Sequence, residues 1–260
     1  MTVLDRFRLN GRRAMITGGS RGLGRAMAQA LAEAGADLIL TGRTAADLQS
    51  VQHAIRLSTG RDVQIVVADL GQPPQAVLAA EAALATGPID ILINNVGGRC
   101  EDIPVEEITA EAWQRYLDLN LTHAVLVSQC LVGPMLSRGW GRIVNIASIA
   151  GPMIAFKGIG GRHYETAKAA LAGFTRAAAV DWASRGVTVN AICPGVFFTE
   201  PNQRWARERP QWREQVLSQI PIGRFGEPEE IGPLAVYLCS PAADYLTGAL
   251  IPIDGGFTIW

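Results

Sequence analysis

A strand, a glycine-rich turn, a helix and a second strand open this chain, and that order leaves few folds available. Residues 13–17 (Arg-Ala-Met-Ile-Thr) form a short apolar run with the length of a buried strand. Gly18-Gly19-Ser20-Arg21-Gly22-Leu23-Gly24 follows at once. Leu23, Met27, Leu31 and Ala34 then mark one helical face, and Gly35 is placed to cap its end. Residues 37–41 (Asp-Leu-Ile-Leu-Thr) make the second strand and complete a βαβ unit. Gly18, Gly22 and Gly24 stand at the strand-to-helix turn, where the backbone must bend sharply and approach a phosphate closely.

The rhythm continues along the chain. Strand-like runs fall near 63–67, 89–93, 142–146, 188–192 and 249–253, with helical stretches near 45–57, 75–86, 111–136, 165–184 and 227–238. Such alternation predicts an α/β fold, a doubly wound parallel sheet of about seven strands with helices on both faces. No linker, repeat or charge block divides the 260 residues, so 1–260 is expected to be a single domain. Residues 196–220 break the pattern, mixing Phe197, Phe198, Trp205 and Trp212 with Arg204, Arg207, Arg209 and Arg213. Near the carboxyl ends of the strands, such an insertion is expected to cover a ligand crevice as a lid. A surface helix with a solvated basic face is the alternative.

Composition narrows the partners. Charged residues make up 18%, below a usual ~25%, which favours an oligomer that covers more surface than a monomer does. A net charge of -1 argues against nucleic acid. The longest uncharged run, 119–137, holds Asn120, His123, Gln129, Gly133 and Pro134, a poor membrane span. Met1-Thr2-Val3-Leu4-Asp5-Arg6 lacks the apolar core of a signal peptide. Cys100, Cys130, Cys193 and Cys239 lie far apart, with no metal-ligand spacing to the three histidines. The expectation is therefore a cytoplasmic protein with free thiols and no metal.

The turn reads G-x-x-x-G-x-G, neither the G-x-G-x-x-G of the commonest dinucleotide fingerprint nor a phosphate-binding P-loop. Its place after the first strand nevertheless points to a dinucleotide, with helix N-terminal amides facing the pyrophosphate. The end of the second strand decides the ribose, because a carboxylate there would accept from the 2′-hydroxyl of NAD and repel a 2′-phosphate. Thr41-Gly42-Arg43 offers no carboxylate, and Arg21 adds a second guanidinium. Two guanidiniums suit a phosphate, so NADP(H) is expected over NAD(H) unless both arginines are merely solvated. Further on, Tyr164 and Lys168 stand four apart, on one face of a helix. A phenol titrates near ~10, and a neighbouring ammonium favours its phenolate, so the pair is an acid/base device if it faces a pocket.

In sequence order, Thr17-Gly18-x3-Gly22-x-Gly24, Asn94-Asn95-Val96-Gly97, Asn120, Ser148, Tyr164-x3-Lys168 and Pro194-Gly195 resemble the classical short-chain dehydrogenase/reductases. The resemblance runs from the first strand to Asp254-Gly255-Gly256 and implies a Rossmann-like sheet and interconversion of a carbonyl and a secondary alcohol. It implies that Gly18, Ser20, Arg21, Gly22, Leu23 and Gly24 cradle the cofactor, with Arg43 beside them. Asp69 would contact the adenine amino group and Leu70 pack on the ring, while Asn95 and Gly97 line the cofactor site and Asn94 steadies the central strand. Val96 stands where the family most often has alanine. Pro194, Gly195 and Thr199 would hold the nicotinamide carboxamide.

The implied chemistry follows the charge that builds on the substrate oxygen. Tyr164 would exchange a proton with that oxygen and Ser148 would hold it; Lys168 would lower the tyrosine pKa and bind the nicotinamide ribose. Asn120 would anchor a water that relays protons. The small face of Ala169, Ala170, Ala172, Gly173, Ala177 and Ala178 lets helices approach closely, in the core or between subunits, and the resemblance implies a homotetramer. Thr41-Gly42-Arg43 and Pro221-Ile222-Gly223-Arg224-Phe225-Gly226-Glu227-Pro228 resemble bacterial members of the family, which implies a small ketone or alcohol as substrate: a hydroxy acid, sugar acid, 3-oxoacyl thioester or cyclic ketone. Arg99, His163, Phe197 and Trp205 are its candidate contacts, with Lys157, Arg162 and the lid arginines available for a carboxylate or phosphate. The Ser148–Tyr164 interval is longer than usual for the family, and 156–163 reads as a glycine-rich loop walling the pocket, with His163 solvated. A catalytically silent dinucleotide-binding regulator, an NAD(H)-using dehydrogenase, and a dehydratase or epimerase are the competing readings.

Overall fold

Each strand-like run finds a neighbour running in its own direction. The computed structural model of the chain describes residues 2–155 and 161–259. Within them Arg13–Ile16 (β1), Asp37–Gly42 (β2), Val63–Val67 (β3), Ile91–Asn94 (β4), Gly141–Ile146 (β5), Val187–Pro194 (β6) and Leu250–Ile253 (β7) form one sheet, ordered β3-β2-β1-β4-β5-β6-β7. All pairings are parallel. Because β1 lies between β2 and β4, the connections leaving β1 and β4 diverge, and a crevice opens at their carboxyl ends.

Side-chain alternation sends successive strand residues to opposite faces. Ala14, Ile16, Leu38 and Leu40 pack with Met27 and Leu31 of Gly22–Glu33 (α1), while Met15 and Ile39 join the other face with Leu131 and Met135. The remaining helices are Ala45–Thr59 (α2), Pro73–Ala85 (α3), Ala110–Leu117 (α4), His123–Arg138 (α5), Arg162–Trp182 (α6), Glu200–Glu208 (α7), Pro210–Leu217 (α8) and Gly232–Cys239 (α9). Strands β4, β5 and β6 are buried at every residue, as expected of strands covered on both sides.

Three departures from the sequence reading bear on function. The helix expected over 111–136 is interrupted, because Asp118–Thr122 between α4 and α5 makes a π-helical turn that contains Asn120. Such a turn inserts an extra residue and redirects its side chains and carbonyls, which is why it recurs at functional sites. The 196–220 insertion holds two short helices; Val216 of α8 and Ile220 beyond it pack with Ala147 and Ile149 past β5 and with Cys193 of β6. Helix α6 starts at Arg162, so His163 is helical and buried, not a solvated loop residue. The rest of the expected pocket loop, 156–160 with Lys157, lies outside the described residues.

The stretch Ala110–Arg138 is long and apolar enough to cross a membrane by length and composition alone, yet His123, Ala124, Val127, Leu131 and Met135 on it are buried in the core. On α6, Ala172 and Ala178 face the core while Ala169, Ala170, Gly173 and Ala177 are exposed.

Candidate active site

The carboxyl ends of β1 and β4 are tied together first. Thr17 Oγ1 accepts from the amides of Asn95 at 2.8 Å and Val96 at 3.1 Å. Asn95 Nδ2 donates to the carbonyls of Thr17 at 2.9 Å and Gly18 at 3.1 Å, so its amide holds the glycine turn in shape. A Cβ on Gly24 would stand 2.2 Å from Gly18 O and 2.5 Å from Asn95 Nδ2, which restricts that position to glycine. Helix α1 then begins with Arg21 as its N-cap, without a capping side chain and without an acidic residue in the first turn. Its leading amides are free for an anion. Thr199 overhangs the turn, its Cγ2 3.6 Å from where a Gly22 Cβ would be. Arg21 is exposed and pairs with Glu200 at 3.2 Å; Arg43 is exposed at the end of β2. Gly97 is exposed at the mouth of β4. An uncapped helix start, a turn closed to side chains and two exposed guanidiniums fit a phosphorylated dinucleotide.

Other expected cofactor residues fall differently. Asp69 is half-buried, its Oδ1 accepting from the Gly71 amide at 3.1 Å. Leu70 is only 2% exposed and belongs to the core with Met15, Ile39 and Ala76, so its side chain does not offer a face to a ring. Pro194 ends β6, and Gly195 donates its amide to Ile253 O at 3.0 Å.

Of the four expected catalytic residues, Asn120 and Lys168 flank Gly97, and Ser148 partners Tyr164, whose ring centroid is 6.0 Å from Lys168 Nζ. Ser148 follows β5 by two residues, and its Oγ accepts from the Ala150 amide at 3.0 Å. Tyr164 is half-buried in the first turn of α6, with Ser148 as its side-chain hydrogen-bond partner. Lys168, one turn on, is 3% exposed and donates from Nζ to Ile146 O at 2.8 Å, at the end of β5. Asn120 is fully buried; its Oδ1 accepts from the Gly98 amide at 2.8 Å, and its Nδ2 donates to the carbonyls of Gly98 at 3.3 Å and Tyr116 at 3.2 Å.

Burial sets the protonation states. It pushes the Tyr164 phenol up, and the Ser148 hydrogen bond and the Arg99 charge pull it part of the way back. Burial lowers the Lys168 ammonium to about 8. Lys168 Nζ stands 6.0 Å from the tyrosine ring centroid and bonds Ile146 O rather than the phenol.

Of the expected substrate residues, Phe197 is 3% exposed, in contact with the backbone of Gly226, where a Cβ would come within 2.9 Å of its ring. It is core, not pocket wall. His163 is buried edge-on against Tyr116, with ring centroids 3.7 Å apart. Trp205 is half-buried on α7, 5.8 Å from the Trp212 ring and 5.4 Å beneath the Arg209 guanidinium. Arg99 donates from Nε to Asp102 Oδ1 at 2.7 Å, and Arg162 pairs with Glu165. Sequence reasoning missed Tyr116, His123 and the buried Asn145, although an asparagine in the middle of an apolar strand was a visible signal. Among the described residues no group of three His, Cys, Asp or Glu could hold a metal ion.

Comparison with known proteins gives a consistent picture. The family model described as enoyl-(acyl carrier protein) reductase matches residues 18–258. An oxidoreductase of Mycobacterium tuberculosis is 41% identical over 98% of this chain and 95% of its own. A galactitol 2-dehydrogenase (L-tagatose-forming) of Cereibacter sphaeroides is 37% identical over 98% of each chain. Among solved structures, a gluconate 5-dehydrogenase from Burkholderia cenocepacia in complex with NADP and tartrate superposes with a TM-score of 0.91, at 32% identity over 100% of both chains.

Proposed function

The chain belongs to the classical short-chain dehydrogenase/reductase family and is an oxidoreductase acting on CH–OH groups, and from that premise we propose an NADP(H)-dependent interconversion of a ketone and a secondary alcohol through Tyr164. The observation that carries the proposal is a linked set of contacts: Ser148 bonds Tyr164, Lys168 Nζ stands 6.0 Å from the Tyr164 ring, and Lys168 and Asn120 flank the exposed Gly97. The same set of contacts speaks against a silent regulator.

When bound, the dinucleotide supplies or accepts the hydride; this chain supplies position and charge. Reduction leaves negative charge on the substrate oxygen, which then needs donors in a water-poor site. Tyr164, whose pKa burial raises, is protonated at neutral pH and donates its phenolic proton to that oxygen. In oxidation its phenolate takes the proton back. The Ser148 hydroxyl donates to the same oxygen and keeps it within reach of the phenol. Lys168, fixed at Ile146 O, stabilises the phenolate as it forms and binds the nicotinamide ribose. A lysine at about 8 also exchanges protons readily near neutrality, and Asn120, facing it across Gly97, leads that path toward solvent through a water.

NADP(H) is favoured over NAD(H) because β2 ends in Thr41-Gly42-Arg43 without a carboxylate and Arg21 is exposed beside it. Asp69 and the Pro194–Thr199 segment complete the cofactor site. Helices α7 and α8 act as its lid, and the exposed small residues of α6 join subunits of a cytoplasmic homotetramer. The names of relatives, for galactitol and gluconate, make a polyol or sugar acid the preferred substrate class. The test is a panel of ketones and alcohols assayed with both cofactors. Tyr164→Phe is expected to lower kcat by about 10²–10⁴-fold on the best substrate, and a variant with full activity would overturn the assignment.

A further inference from the structure

Residues 98–103 leave β4 as an irregular segment, yet they are held at every step. Asn120 bonds both the amide and the carbonyl of Gly98, at 2.8 Å and 3.3 Å. The Tyr116 hydroxyl donates to Glu101 O at 3.3 Å and also accepts from the Glu101 amide. Ile103 O accepts from the Gly161 amide at 3.3 Å, just ahead of α6. Asp102 reaches Arg99 through one oxygen, at 2.7 Å, and Arg209 next to α7 and α8 through the other, at 3.7 Å.

What these anchors position is the Arg99 guanidinium. Its side chain is 14% exposed, and it fits against Gly161, where a Cβ would stand 2.8 Å from Nε and 2.9 Å from Nη2. Gly161 O in turn accepts from the Tyr164 amide at 3.0 Å, so the guanidinium packs on the turn that opens the helix of Tyr164. Asp102 satisfies the Nε edge. Nη2 is buried and has no hydrogen-bond partner. An orphaned guanidinium nitrogen is costly and calls for an explanation, of which a ligand that completes it is one.

We infer that Arg99 is a carboxylate site beside Tyr164, which makes hydroxy acids rather than uncharged polyols the substrates of the proposed reaction. A planar fork with one edge already held by Asp102 offers its other edge to a carboxylate with geometry that a lysine cannot copy. Arg99 and Arg209 share the carboxylate of Asp102, with Glu101 in the same segment, so the positive field left for a ligand is small, which suits a carboxylate better than a phosphate monoester near −2. The influence of Arg99 on the Tyr164 phenol agrees with its closeness to the reacting oxygen.

The inference rests on the oxidoreductase reading for its substrates, but the test separates the two. Turnover of D-gluconate and D-sorbitol, one an acid and the other its uncharged counterpart, is compared in the wild type, Arg99→Met and Arg99→Lys. Tartrate and threitol, a second such pair, are titrated into each protein loaded with NADPH. The wild type is expected to prefer each acid by at least about tenfold. Arg99→Met is expected to lower kcat/KM for gluconate about a hundredfold, mainly through KM, and to weaken tartrate alike while sorbitol stays within about threefold. Arg99→Lys should recover part of the loss. Equal losses on acid and polyol, or tartrate binding no tighter than threitol, would overturn the inference while leaving the reaction class intact. Absence of any NADP(H)-linked turnover would instead defeat the function proposed, and the tartrate–threitol titration would still read Arg99. Should Arg99→Met fail to fold, the wild-type ligand comparison and Arg99→Lys decide.

Discussion

Gly97 and Lys168 share one narrow space: a Cβ on Gly97 would stand 2.8 Å from Lys168 Nζ, and equally 2.8 Å from Asn120 Oδ1. The glycine also sits at φ +152, a conformation that side-chain-bearing residues rarely adopt. Gly97→Ala therefore strains the backbone and pushes Lys168 away from Ile146 O. We expect a loss of about 1–3 kcal/mol in unfolding free energy and a fall in kcat of about a hundredfold, since a small misplacement of catalytic groups costs that much. Urea melts and steady-state kinetics read the two effects separately; wild-type kcat in the variant would mean that the space is slack.

His123 should make the fold acid-sensitive. Its ring is 1% exposed, Nδ1 lies 3.3 Å from Asp118 O, and burial followed by the Lys168 charge lowers its pKa from 6.5 to about 3. The unfolded chain takes up a proton below pH 6.5 that the folded chain refuses, so stability falls as pH drops from 6.5 toward 3. His123→Asn keeps a donor near Asp118 O and does not titrate. At pH 4 the wild type should have lost about 3 kcal/mol more than this variant relative to pH 7.5. Parallel stability–pH curves for the two proteins would show that His123 protonates without unfolding anything.

Cofactor choice is a question of which guanidinium matters. Arg43 is exposed and lies beyond a strand end without a carboxylate, whereas Arg21 is paired with Glu200, both side chains more than 60% exposed. An exposed pair of that kind contributes about 0–1 kcal/mol, so Glu200→Gln should change NADP+ affinity by no more than about fivefold. Arg43→Asp reverses charge where a 2′-phosphate would lie and should raise the NADP+ KM by about 10–100-fold with little effect on NAD+. An unchanged ratio of NADP+ to NAD+ efficiency in Arg43→Asp would remove the basis for preferring NADP(H).

The strands were legible because β4, β5 and β6 are buried on both faces, and a strand of that kind reads as an unbroken apolar run. The glycine turn was legible because Gly24 has no room for a Cβ. Leu70 and Phe197 were misjudged for one reason: an apolar residue just past a strand end can line a crevice or turn into the core, and sequence does not say which. His163 was read as solvated because glycines precede it, while its burial depends on Tyr116, 47 positions earlier, a contact without local signature. The four-residue spacing of Tyr164 and Lys168 fixed their common helix face. It could not reveal that Lys168 Nζ bonds the end of β5.

Asn145 links the stability of the sheet to that same lysine. Its Oδ1 accepts from Asn94 Nδ2 at 2.9 Å, and its Nδ2 donates to Thr175 Oγ1 at 2.9 Å, which donates to Leu171 O at 2.8 Å. The chain of bonds crosses β4, β5 and α6 with every side chain at most 1% exposed. Ile146, the next residue, carries the carbonyl that holds Lys168, and Ser148 follows. Asn145→Ala leaves Thr175 Oγ1 and Asn94 Nδ2 each short of a partner, at an expected cost of about 2–4 kcal/mol. Because Asn94 Nδ2 keeps Ser128 Oγ at 3.0 Å, Asn94→Ala and Asn145→Ala should be non-additive by about 1 kcal/mol in a double-mutant cycle. A β5 freed from α6 should also loosen the Lys168–Ile146 bond, so Asn145→Ala is expected to lower kcat more than it raises KM, even at temperatures where it is fully folded. Additive stabilities with unaltered kcat would confine the network to packing and detach it from the catalytic lysine.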